Sequence, residues 1–119
     1  MIKVTVDGRL TEDAQMITIG QSNFLKLNVA VNYAFGQKQH ELESQGKPTA
    51  MFFECLGYEN RYGKLLNVLG KGSQVFITGE LTPNYWGDNN ERVSYRIFLD
   101  GLGVGDKREP VNAAPWEEA

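Results

Sequence analysis

Three large aromatic residues, Phe52, Tyr58 and Trp86, stand where a chain of 119 residues would ordinarily place polar side chains. Phe52 and Tyr58 bracket the run Phe52-Phe53-Glu54-Cys55-Leu56-Gly57-Tyr58, and Trp86 follows Tyr85 just before Gly87-Asp88-Asn89-Asn90. Six residues separate Phe52 from Tyr58, so a strand points both to one face while Phe53 and Cys55 take the other. Flat rings left at a surface suit stacking on unpaired bases, because every base has a π-face. Core packing is the competing reading for each ring, and beside Phe52 the buried side is already served by Phe53.

Nothing in the chain suggests catalysis. Cys55 is the sole cysteine and His40 the sole histidine. One cysteine excludes an internal disulfide and a thiolate zinc site, and its place in an apolar run reads as a small buried hydrophobe. His40 lies in a polar stretch without a neighbouring nucleophile or second nitrogen ligand. No enzyme, metal or cofactor is expected.

The elements that must position the rings follow from periodicity. Val4, Val6 and Leu10 predict a first strand interrupted at Asp7-Gly8 by a turn or bulge, and a short pairing segment runs from Gln15 to Ile19. From Leu25 to Tyr33 the apolar residues Leu25, Leu27, Val29 and Val31 alternate with Lys26, Asn28, Ala30 and Asn32, a half-buried strand. Residues 36–48 are polar, bounded by Gly36 and Pro48, and read as a long loop. A strand spans Ala50 to Tyr58. Asn60 is placed to cap a helix whose Tyr62, Leu65, Leu66 and Leu69 share a face, with Gly70 ending it at positive φ. Gln74 to Leu81 is a strand, and Thr82 to Phe98 a hairpin across Gly87-Asp88-Asn89-Asn90. Five main strands with one short helix between the third and fourth predict an all-β, Greek-key OB-fold barrel. The expected division is a domain at 1–104 and a flexible acidic tail at 105–119.

Charge argues against an ordinary nucleic-acid binder. The chain carries 12 Lys and Arg against 15 Asp and Glu, a net charge of −3. Residues 1–104 hold 10 of those cations and 11 of the anions, so even the body lacks the basic surface such proteins usually show. Any grip on a backbone must come from a few well-placed cations. No run approaches the roughly 18 apolar residues of a membrane span, and Met1-Ile2-Lys3-Val4 lacks the pattern of a signal peptide. A cytoplasmic, nucleoid-associated location is expected, with no membrane partner.

Two blocks resemble the bacterial and phage single-stranded DNA-binding protein family. One is Val4-Thr5-Val6-Asp7-Gly8-Arg9-Leu10-Thr11-Glu12-Asp13-Ala14; the other is Gly70-Lys71-Gly72-Ser73-Gln74-Val75 leading to Gly79-Glu80-Leu81. The resemblance covers about residues 1–104. It implies sequence-independent binding and protection of single-stranded DNA during replication, recombination or repair. By position it carries the family's base-stacking aromatics onto Phe35, Phe52, Tyr58 and Trp86, with Tyr85 as an extra ring the family does not supply. Phe35 escapes the core side of its strand only if that strand ends near Tyr33. Phosphate contacts are expected from Lys26, Lys38, Lys47, Lys71, Arg92 and Arg96.

The chain departs from the family pattern in three places. Thr82-Pro83-Asn84-Tyr85 contains no cation where the family is rich in Arg and Lys, and Glu54 shares the face of Phe52 and Tyr58, where an anion repels phosphate. The end, Pro115-Trp116-Glu117-Glu118-Ala119, is a shorter and rearranged version of the family's acidic docking tail. Pro115, Trp116, Glu117 and Glu118 are the candidate contacts to replication and repair proteins. The resemblance also implies a homo-oligomer, tetramer or dimer, and a first strand beginning at Met1 offers an open edge for pairing. The competing function is a protein-binding OB adaptor, a primosome-type or phage accessory subunit.

Overall fold

Leu25, Leu27 and Val29 are fully buried, while Lys26, Asn28 and Ala30 between them stay part-exposed. That alternation is the inner and outer surface of a curved sheet. In a computed structural model, which describes residues 1–105, the sheet has six strands: β1 (Lys3–Leu10), β2 (Gln15–Ile19), β3 (Ser22–Asn32), β4 (Ala50–Tyr58), β5 (Gln74–Trp86) and β6 (Arg92–Val104). Their order is β1-β5-β6-β4-β3-β2, and β1 returns to pair with β3 through Arg9 and Leu10, closing the sheet into a near-barrel. All pairs are antiparallel except β4 with β6. The core combines Leu25, Leu27 and Val29 with Cys55, Val75, Ile77, Ile97 and Leu99. Cys55 is fully buried, and burial, then the Glu54 charge, pushes its thiol pKa up to about 12, so it stays an inert hydrophobe.

Several sequence expectations change. Asp7-Gly8 does not interrupt β1, which pairs with β5 in unbroken register from Lys3 to Arg9. Gly8 marks a close crossing instead: a Cβ there would lie 2.3 Å from the Ala30 carbonyl oxygen. Gly79 repeats the device at a bulge in the β5–β6 ladder, where a Cβ would lie 2.3 Å from the Phe98 carbonyl oxygen. Residues 36–48 are not all loop. They hold α1 (Gly36–Ser44), a helix that buries none of its residues.

The helix expected after β4 is one α-turn, α2 (Glu59–Tyr62), tightening into a 3₁₀ segment, Gly63–Asn67. Tyr58, not Asn60, is its N-cap residue. Tyr62 and Leu69 are buried as the spacing required, and Leu65 and Leu66 pack against the core. Because the helix stops early, Gly72 rather than Gly70 takes the positive φ, 87°. The turn there is stitched to the start of the chain. Leu10 N donates to Ser73 O, Gly72 N to Leu10 O, and Lys71 N to Asp13 Oδ1 at 2.8 Å. The two blocks that carried the family resemblance are therefore one structural lock.

Candidate nucleic-acid interface

Strand pairing fixes which side chains share the outer face, because residues directly opposite each other project to the same side. On β4 these are Phe52, Glu54, Leu56 and Tyr58. Opposite them on β3 stand Ala30, Asn28, Lys26 and Phe24, and on β6 Arg96 and Phe98 oppose Glu54 and Leu56. Along β6 the same parity carries Arg92, which pairs with Trp86 on β5. One continuous outer surface thus holds Phe52, Tyr58, Trp86, Lys26, Arg92 and Arg96.

The rings are open. Phe52 is 66% exposed, Tyr58 55% and Trp86 48%. Phe35 is 68% exposed because β3 ends at Asn32, and it serves as the N-cap residue of α1. They do not form a contiguous ladder: six residues of β4 put Phe52 and Tyr58 about 20 Å apart. Tyr58 is braced from beneath by Phe24, whose ring centroid lies 4.8 Å away, and Phe24 also meets Phe98 edge-on at 6.2 Å. Sequence reasoning missed Phe24, although its parity with Lys26 and Asn28 already placed it outside the core.

Between the two β4 rings lies a charge cluster. Arg96 Nε donates to Glu54 Oε1 at 2.5 Å, and Lys26 Nζ lies 3.5 Å from Oε2. These side chains are only 24–27% exposed. Glu54, expected to repel phosphate, is neutralised in place, and the cluster keeps one net positive charge. The same contacts engage two of the six expected phosphate ligands with one shared anion, so the pair still presents a net positive charge to a phosphate.

The remaining cations are dispersed. The Arg92 guanidinium stacks over the Trp86 indole, 5.1 Å from the ring centroid, so it can both stiffen that ring and face a phosphate beside it. Lys71 sits in the turn before β5, where its backbone N–H donates to Asp13 Oδ1, and not on β3, β4 or β6. Lys38 lies on α1 and Lys47 in the connection to β4, both exposed. Tyr85 does not join the surface. Next to Trp86 on β5 it points oppositely, sharing its side of the β5–β6 arm with Pro83, Val93 and Tyr95. The tail residues Pro115, Trp116, Glu117 and Glu118 lie outside the described residues.

A curved sheet carrying exposed rings and scarce cations suits stacking on flat ligands. The chain matches the Single-strand binding protein family over residues 1–103. It belongs to that family. Membership makes it a binder of single-stranded DNA rather than an enzyme. A single-stranded DNA-binding protein of Bacillus cereus is 30% identical over 125 residues, an alignment covering 97% of this chain and 70% of the relative. One from Borreliella burgdorferi is 27% identical over 103 residues, covering 83% of this chain and 66% of the relative. The chain thus spans about two thirds of the length of these relatives. Among solved structures, a small single-stranded DNA-binding protein from Streptomyces coelicolor superposes with a TM-score of 0.68 at 14% identity, covering 87% of this chain and 94% of its own. The Plasmodium falciparum SSB complex with ssDNA gives 0.67 at 20% identity, covering 89% and 96%. Both likenesses establish the OB fold.

Proposed function

We propose that single-stranded DNA crosses the outer face of β3, β4 and β6 and leaves along the Trp86 side of the β5–β6 arm. Bases stack on Phe35, Phe52, Tyr58 and Trp86, and Lys26, Arg92 and Arg96 meet phosphates, with Lys38 and Lys47 at the periphery. The observation that carries this reading is the set of exposed rings surrounding a charge cluster whose single anion is already paired. Neither Tyr85, on the other side of the arm, nor Lys71, in the turn bonded to Asp13, belongs to this path. Binding is sequence-tolerant and serves replication, recombination or repair, in the cytoplasm at the nucleoid. The residues Pro115, Trp116, Glu117 and Glu118 recruit other proteins of those processes.

The direct test is tryptophan fluorescence during titration with oligo-dT, in a Trp116→Phe background so that Trp86 reports. Quenching at micromolar protein and low salt is expected. Its absence favours a protein-binding adaptor.

Electrostatics gives a second expected result. Two to four neutralised phosphates imply a slope of log affinity against log salt of about −1.4 to −2.8. Glu54→Gln should release Lys26 and Arg96 and steepen that slope by about 0.7 to 1.4. A steep slope in the unaltered protein, or no change in the variant, would show that these cations do not face the strand.

Self-association fits β1, whose Lys3–Val6 stretch, clear of its junction with β3, pairs with β5 on one edge only. Such an open edge accepts another strand, and clustering barrels multiplies a weak site. Light scattering should give two or four copies of the 13.3 kDa chain; a monomer at tens of micromolar would reject the assembly.

A further inference from the structure

β1 and β3 pair only at Arg9–Ala30 and Leu10–Val29. Beyond Arg9, towards Asp7 on one strand and Asn32 on the other, they splay apart. The V-shaped opening is a cleft of about 220 Å³ lined by Asp7, Gly8, Arg9, Ala30, Asn32, Phe35 and Gln74. Pockets for drug-sized molecules run to roughly 300–1,000 Å³, so this one suits a single planar group. Ala30, directly opposite Phe52 on the neighbouring strand, keeps the floor low, and Phe35 supplies a flat wall.

The rim is polar and uncommitted. Among the described residues the side chains of Asp7, Asn32 and Gln74 make no hydrogen bond, and Asp7 joins no ion pair. Arg9 donates from Nη1 to Gly72 O at 2.9 Å, which fixes the guanidinium and leaves its other N–H groups available. An exposed carboxylate disfavours a phosphate in the cleft. It favours a group presenting two adjacent N–H donors to its two oxygens.

We propose that this cleft is a guanine-selective subsite within an otherwise sequence-tolerant path. Among the four bases only guanine places two donors side by side, N1–H and the 2-amino group, to meet both oxygens of Asp7. Adenine and cytosine offer one exocyclic amino group and thymine one ring N–H. Guanine also carries O6 as an acceptor for Arg9, the pairing arginine favours. Stacking on Phe35 accepts any base, so the selectivity comes from the edge. The proposal rests on the DNA path described above, and its test separates the two.

The test uses the full chain and four oligonucleotides: oligo-dT, and oligo-dT with one central dG, dA or deoxyinosine. The dG oligonucleotide should bind about tenfold tighter than oligo-dT. The dA oligonucleotide, which stacks equally well, should bind no more than about twofold tighter. Deoxyinosine, lacking the 2-amino group, should fall near dA, and Asp7→Asn should bring the dG-to-dT ratio close to one. Tight binding of all four with equal affinity overturns the guanine subsite and leaves the path intact. So does a dG preference that survives Asp7→Asn. Failure to bind any of them overturns both.

Discussion

Tyr58→Ala is expected to weaken oligo-dT binding by roughly 5- to 150-fold, the loss of one base–aromatic stack. The expectation is strongest here because Tyr58 is both exposed and braced. The ring is held against Phe24 at 4.8 Å, which in turn meets Phe98, so little motion is lost when a base settles on it. Tyr58→Phe should retain nearly all the affinity, since the ring and not the hydroxyl is in use. Fluorescence or anisotropy titration at fixed salt measures both variants. A loss under about threefold in Tyr58→Ala, with the protein folded, would place the strand elsewhere. Trp86→Ala tests the far end of the path by the same threshold.

The second large effect concerns stability. Gly8→Ala should destabilise the fold by about 3 kcal/mol, because the new Cβ would fall 2.3 Å from a backbone carbonyl oxygen and 2.8 Å from Val29 Cγ1. A backbone carbonyl inside a paired strand cannot step aside as a side chain can. The melting midpoint should drop by roughly 10 °C or more. Gly63→Ala is the control. Its Cβ would meet mainly Glu59 Cγ at 3.0 Å, the middle of a flexible side chain, and alanine raises helix propensity by about 1 kcal/mol. That variant should stay within about 1 kcal/mol of the parent. Urea unfolding at matched protein concentration distinguishes them. Equal midpoints for the two variants would mean that the β1–β3 closure is looser than its geometry implies.

How much of this was legible in the sequence depended on whether the signal was local. Period-two alternation placed Leu25, Leu27 and Val29 inside and Phe52 and Tyr58 outside, since a strand offers only two faces. The same rule separates Tyr85 from Trp86, adjacent residues of β5, which continues past Thr82 to Trp86. Helix α1 was invisible because it is polar all round and buries nothing, so no apolar period announces it. The pairing of Glu54 with Lys26 and Arg96 needed three strands in register. Residues 28 and 42 positions away carry no local trace of such a contact. Gly8 showed as a punctuation mark, but its purpose, a close crossing, exists only once the barrel closes.

The polar helix α1 bears on where the fold loosens first. Phe52 and Tyr58 stand on a central strand flanked by β3 and β6, whereas Phe35 hangs at the mouth of a helix with no side chain anchored in the core. Segments with little buried apolar surface open first. The amides around Phe35 should therefore exchange with solvent well before those of β4.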